Sequence, residues 1–146
     1  LGQPGYFLED TGMIEITNRL ISADKVIARV KSDGSGCVVT YVGLIRNRSR
    51  GKPVLSVEYR DARGNAEKIL QEIADEAKRK WRVENIAISH RTGKLKVGDI
   101  NLVVAVASGH RRQGLAACRY IIDRFKQKLP TTKTETYRDG SVRLGK

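Results

Sequence analysis

Apolar residues recur along this chain with two spacings, and the stretches that carry them alternate. Met13 to Thr17 reads as a short strand, and Ser22 to Val30 as a helix with Val26, Ile27 and Val30 at helical spacing and Ser22 placed to cap it. Cys37 to Ile45 is β-branched and apolar, which predicts a strand ending at Arg46. Asn47 to Pro53 has turn composition and no apolar anchor, so it is expected to be a mobile basic loop before a strand at Val54 to Tyr59. The next helix sets Ile69, Leu70, Ile73, Ala77 and Trp81 on one stripe.

Val83 to Ser89 and Ile100 to Ala107 are further strands, separated by turn sequences at Arg91-Thr92-Gly93 and Val97-Gly98-Asp99. A last helix, about Arg112 to Leu129, would bury Leu115, Cys118, Ile122, Phe125 and Leu129, and Pro130 stops it. Lys133 to Tyr137 and Ser141 to Leu144 flank Arg138-Asp139-Gly140 as a terminal hairpin. Strands and helices are interleaved but tied by tight turns, which favours an α+β fold with mainly antiparallel sheet. Leu1 to Gly12 shows no periodicity and is expected to be a tail or linker, or the seam of a longer polypeptide, leaving 13–146 as a single domain.

Composition narrows the function. The 146 residues carry a net charge of +12, which points to an anionic partner. Ten Lys/Arg stand against three Asp/Glu between Arg111 and Lys146, and Arg46, Arg48, Arg50 and Lys52 form a second basic stretch. Aromatic residues are 5% of the chain, which leaves little stacking surface for a nucleic-acid-binding module. The longest apolar run, Leu102 to Ala107, is much shorter than the roughly 20 residues of a membrane helix. Cys37 and Cys118 lack the paired spacing of a zinc or redox motif, and His90 and His110 are the only histidines, so no metal site and no cofactor is expected.

Several residues invite a chemical reading. His110 and Arg111 follow a buried strand and open a helix, where backbone N–H groups would help the two side chains hold a phosphate; they would equally suit a surface connection. Lys126 borders the helix stripe. A half-buried lysine there would have a lowered pKa and could act as base or nucleophile, or it simply complements the helix dipole. Lys133 and Glu135 share one face of a strand, and Arg46 ends an apolar strand in a position to meet an anion.

These residues fall into an order that is itself informative. Gly43-Leu44-Ile45-Arg46-Asn47, Glu58-Tyr59, His90-Arg91-Thr92-Gly93-Lys94-Leu95 with Gly98-Asp99, Ser108-Gly109-His110-Arg111, Lys126, and Lys133-Thr134-Glu135 with Asp139-Gly140 resemble the large, catalytic subunit of molybdopterin synthase from about Met13 to Lys146. The chain departs from that family's pattern at Thr131-Thr132, where aromatic residues are usual, and near Arg143, where a tryptophan is common.

The resemblance implies an α/β hammerhead and a homodimer within a heterotetramer, and with no membrane-length apolar run or signal-peptide pattern a cytoplasmic location is expected. A small ubiquitin-like sulfur-carrier subunit would dock at each end, and its C-terminal Gly-Gly thiocarboxylate would supply sulfur to cyclic pyranopterin monophosphate. Lys126 and Lys133 would be catalytic. Leu44, Ile45, Arg46, His110, Arg111, Thr134 and Glu135 would line the substrate site, partly across the dimer interface. A non-catalytic relative that only binds a ubiquitin-like partner, or a basic nucleic-acid-binding module, are the alternative readings.

Overall fold

The computed structural model describes residues 12–145, so the expected tail from Leu1 to Gly12 lies, except for Gly12, outside the described residues. The order is β1 (Met13–Thr17), α1 (Ala23–Ala28), β2 (Cys37–Leu44), β3 (Arg48–Ser49), β4 (Lys52–Arg60), α2 (Ala66–Lys80), β5 (Asn85–Arg91), β6 (Gly93–Lys96), β7 (Ile100–Ser108), α3 (Arg111–Lys128), β8 (Thr132–Tyr137) and β9 (Val142–Gly145). The strands make two sheets. One runs β1-β5-β7-β2, and only its β1–β5 pair is parallel; the other runs β3-β4-β8-β9, with β6 also paired to β4. The α+β, mainly antiparallel expectation holds.

The apolar run in β7 is continuous because both of its faces are covered. Leu102, Val104 and Val106 pack under α2 and α3 with Leu70, Ile73, Ile88 and Ile121, while Val103, Ala105 and Ala107 meet Val26 and Val30 beside α1. The second sheet has its own small core of Ile45, Val54, Val57, Tyr59, Leu95 and Tyr137. Ser22 caps α1 as expected, its Oγ accepting from the Lys25 N–H at 3.3 Å. No helix among the described residues is long and apolar enough to cross a membrane.

Three expectations need correction. The stretch 47–53 is a two-residue hairpin: Ser49 pairs with Lys52, and the turn residues Arg50 and Gly51 both have positive φ, at 53° and 77°. That backbone matches the twist of paired strands, and the anchors are polar and distant in sequence, so no local apolar signal marks them. A short strand, β6, occupies Gly93–Lys96 between the two expected turns, where no strand was expected.

The third correction concerns α3, which buries Gly114, Ala117, Cys118 and Ile121, while Leu115 is 55% exposed. Small residues let the helix approach the sheet closely. A Cβ on Gly114 would stand 2.7 Å from Ser108 Oγ and 3.2 Å from Val39, and this approach turns Leu115 outward.

Candidate active site

Four segments from two distant stretches of the chain, 44–49 and 126–135, meet at one cleft of about 170 Å³ beside the second sheet. The end of β2 and the residues after it contribute Leu44, Ile45 and Arg46; the β3–β4 hairpin contributes Arg48 and Ser49; α3 contributes Lys126, and β8 contributes Lys133 and Glu135. A second cavity of about 220 Å³ shares Tyr59, Asn101, Lys126 and Lys133 and extends to Leu129, Pro130 and Thr131. The wall residues Tyr41, Ser49 and Asn101 carry no sequence signal, because their role depends on which sheet face looks inward, and Tyr59 is marked only by its place in the Glu58-Tyr59 motif.

Strand alternation explains the β8 contribution. Lys133 and Glu135 point into the site, Tyr137 on the same face packs in the second sheet's core, and Thr134 sits on the reverse face, paired with Glu58 and Leu144. Thr134 therefore does not line this cleft alongside Glu135 within the one chain. Lys133 Nζ stands 3.5 Å from Glu135 Oε2. Ser49 Oγ donates to both carboxylate oxygens at 3.0 Å, and the Tyr137 hydroxyl donates to Oε1.

Burial pushes the Glu135 carboxyl upward, but the Tyr137 and Ser49 hydrogen bonds and the Lys133 charge outweigh it, and its pKa lies below the ordinary 4.5. A depressed carboxylate contributes stability above its unfolded value and loses it as pH falls through the folded one. Melting temperature is accordingly expected to drop on acidification below the ordinary carboxylate value. In Glu135→Gln part of that acid dependence should vanish, which a melting series across pH would read; an unchanged acid limb would exclude Glu135 as a contributor.

Lys126 is exposed, not half-buried, because Ile122 and Phe125 take the packing positions in this part of α3. It makes no ion pair or hydrogen bond among the described residues. Arg46 and Arg48 are exposed at the cleft mouth, and Arg48 donates to the Gly51 carbonyl at 2.6 Å, which braces the hairpin turn. Four cations thus face one carboxylate across the cleft.

His110 and Arg111 lie elsewhere. They are exposed at the start of α3, and fifteen residues at about 1.5 Å each separate Arg111 from Lys126 by about 22 Å along the helix axis. A single chain does not bring them to the cleft. Among the described residues no cluster of three His, Cys, Asp or Glu could hold a metal ion.

The chain matches the family model described as MoaE protein over residues 16–128. A relative from Nostoc sp., described as molybdopterin synthase catalytic subunit, is 38% identical over 127 residues, covering 86% of this chain and 77% of its own. The chain belongs to the MoaE family. Family members are catalytic subunits of molybdopterin synthase, an enzyme of molybdenum cofactor biosynthesis. The solved structure of molybdopterin synthase from Staphylococcus aureus superposes with a TM-score of 0.85 at 31% identity, over 91% of this chain and 96% of the other. A chain in the complex of subunits 1 and 2 of the molybdopterin-converting factor from Helicobacter pylori shares the MoaE fold at a TM-score of 0.66 and 14% identity, over 92% and 89% of the two chains.

Proposed function

We propose that the cleft converts cyclic pyranopterin monophosphate to molybdopterin, with sulfur delivered twice on the C-terminal thiocarboxylate of a small ubiquitin-like subunit. The observation that carries this reading is the convergence of Lys126 and Lys133 with Arg46 and Arg48 in one cleft. Both reactants are anions, and fixed cations in a concave site stabilise charge that water would otherwise have to reorganise around. Lys133, ion-paired with Glu135, orients the anions. Lys126, without a partner among the described residues, is the amine free to exchange a proton or accept an acyl group. A net charge of +12 would also steer an acidic small subunit towards the site. The free cysteines Cys37 and Cys118 fit a reducing cytoplasm, and with sulfur arriving on the partner neither need carry it.

The distance of His110 and Arg111 from the cleft supports a homodimer in which each site takes these two residues from the second copy, within a heterotetramer that carries the small subunits. Mixed dimers test this directly. Lys126→Ala and Arg111→Ala proteins, each impaired alone, are dissociated, mixed and assayed for molybdopterin formation with thiocarboxylated small subunit. A site shared between copies leaves one of two sites intact in each mixed dimer, so activity should return to about a quarter of wild type. Absence of any recovery from confirmed mixed dimers would place Arg111 outside the shared site. Failure of the wild-type protein to make molybdopterin with a cognate partner would remove the synthase reading itself.

A further inference from the structure

One buried side chain touches four of the segments around the two lysines. His90 on β5 is completely buried. Its Nδ1 lies 2.9 Å from the Asn101 carbonyl, which only accepts, so Nδ1 carries the proton. In the neutral ring Nε2 is then an acceptor, and the Thr131 hydroxyl donates to it at 2.8 Å. Burial favours this neutral ring by lowering the imidazole pKa. The ring stands edge-on to Tyr59, with centroids 5.1 Å apart, and to Phe125 at 5.0 Å.

Each contact leads to the cleft. Phe125 immediately precedes Lys126, and Thr131 lies two residues before Lys133. Tyr59 and Asn101 line the cavity that both lysines border and are joined by the Asn101 Nδ2–H donating to the Tyr59 hydroxyl at 3.0 Å. The segment from Lys126 to Lys133 passes through Leu129, whose φ of 48° is costly for a residue with a Cβ. It also borders the cavity of about 220 Å³. A void on one side forfeits the contacts that would hold a packed segment in place, so the hydrogen bond to His90 has more to fix.

We infer that His90, acting through Thr131, is a positioning residue that sets the separation and direction of Lys126 and Lys133. The inference rests on the reading of those lysines as catalytic. It concerns geometry, so it predicts a change in turnover and little change in substrate affinity, since the four cations that attract the anions remain.

The test uses the complete synthase with its small subunit. Thr131→Val removes the hydroxyl at nearly constant shape, and Thr131→Ser keeps it. For Thr131→Val, kcat is expected to fall roughly 10- to 100-fold with KM changed by less than about threefold, the scale on which misplacing a reacting group acts. Thr131→Ser is expected to recover most of the loss. Acylation of surface amines, mapped by mass spectrometry on the folded proteins, gives a readout independent of turnover: the ratio of modification at Lys126 to that at Lys133 should shift in Thr131→Val and return in Thr131→Ser. Wild-type kcat in a folded Thr131→Val protein would overturn the inference, as would an equal loss in the serine variant. The Lys126→Ala and Lys133→Ala proteins, run alongside, separate the two failures: if they remain active the lysine reading is wrong, whereas if they are inactive and Thr131→Val is normal only the positioning role is lost.

Discussion

Replacing Lys126 or Lys133 by alanine is expected to lower molybdopterin formation by roughly 10²–10³-fold, the range seen when one preorganised charge-stabilising group is removed from an active site. The two losses should differ in kind. Lys133 is ion-paired to Glu135, a residue only 7% exposed whose carboxylate is also held by Ser49 and Tyr137. Its loss leaves Glu135 in the cleft without its cation, so Lys133→Ala should weaken both anion binding and the local structure.

Lys126 has no partner to leave behind, and its loss should appear in kcat with the fold intact. Arginine at each position sharpens the comparison. A guanidinium keeps the charge but does not give up its proton at neutral pH, so Lys133→Arg should retain more activity than Lys126→Arg if Lys126 works as an amine. Initial rates over a range of cyclic pyranopterin monophosphate concentrations would separate the terms. Near-normal turnover in Lys126→Ala would sink the proposed chemistry, whatever the other variants did.

The largest effect on stability is expected at Ile88. It is fully buried in β5, hydrogen-bonded in register between Ile14 on β1 and Val104 on β7, and packed in the core that includes Leu70 and Ile73. Truncation to alanine removes three carbons from a site that backbone on both sides prevents from collapsing, which costs about 2–5 kcal/mol. For a chain of this size that corresponds to a fall of roughly 5–20 °C in melting temperature. Leu115→Ala is the matched control. It deletes the same number of carbons from a side chain that faces solvent in this chain, so it should change stability by only about 0.5 kcal/mol. Calorimetry of both variants would decide, and an equal loss at Leu115 would mean that this side chain is covered in the assembled protein.

That pair of variants also marks where reading the chain succeeds and where it stops. The strands at Met13, Cys37, Ile100 and Lys133 and the three helices were legible because burial leaves a period of two or 3.6 residues, or an unbroken apolar run when both faces are covered. The facing of α3 was not. Helical spacing allows several overlapping stripes, and the one that packs was chosen by close approach at Gly114, a contact with Ser108 and Val39 that no local pattern records.

The site divides in the same way. Lys126, Lys133, Glu135, Arg46, Leu44 and Ile45 were named from residue order and family resemblance, and they do converge. Thr134 was named with them but is turned away by strand alternation, and His110 and Arg111 stand at the far end of α3. The hairpin that carries Arg48 and Ser49 read as a loose loop, because its anchor is Glu135, 86 residues away.

Sequence by itself determined the element types, the basic character and the family, since each rests on residue identity and short-range spacing. Only the tertiary structure decided which faces look into the cleft, which cations share it, and that His90 reaches across to Thr131. Those depend on pairing between distant segments, where the free energy of burial and hydrogen bonding is settled jointly and not by any one stretch of chain.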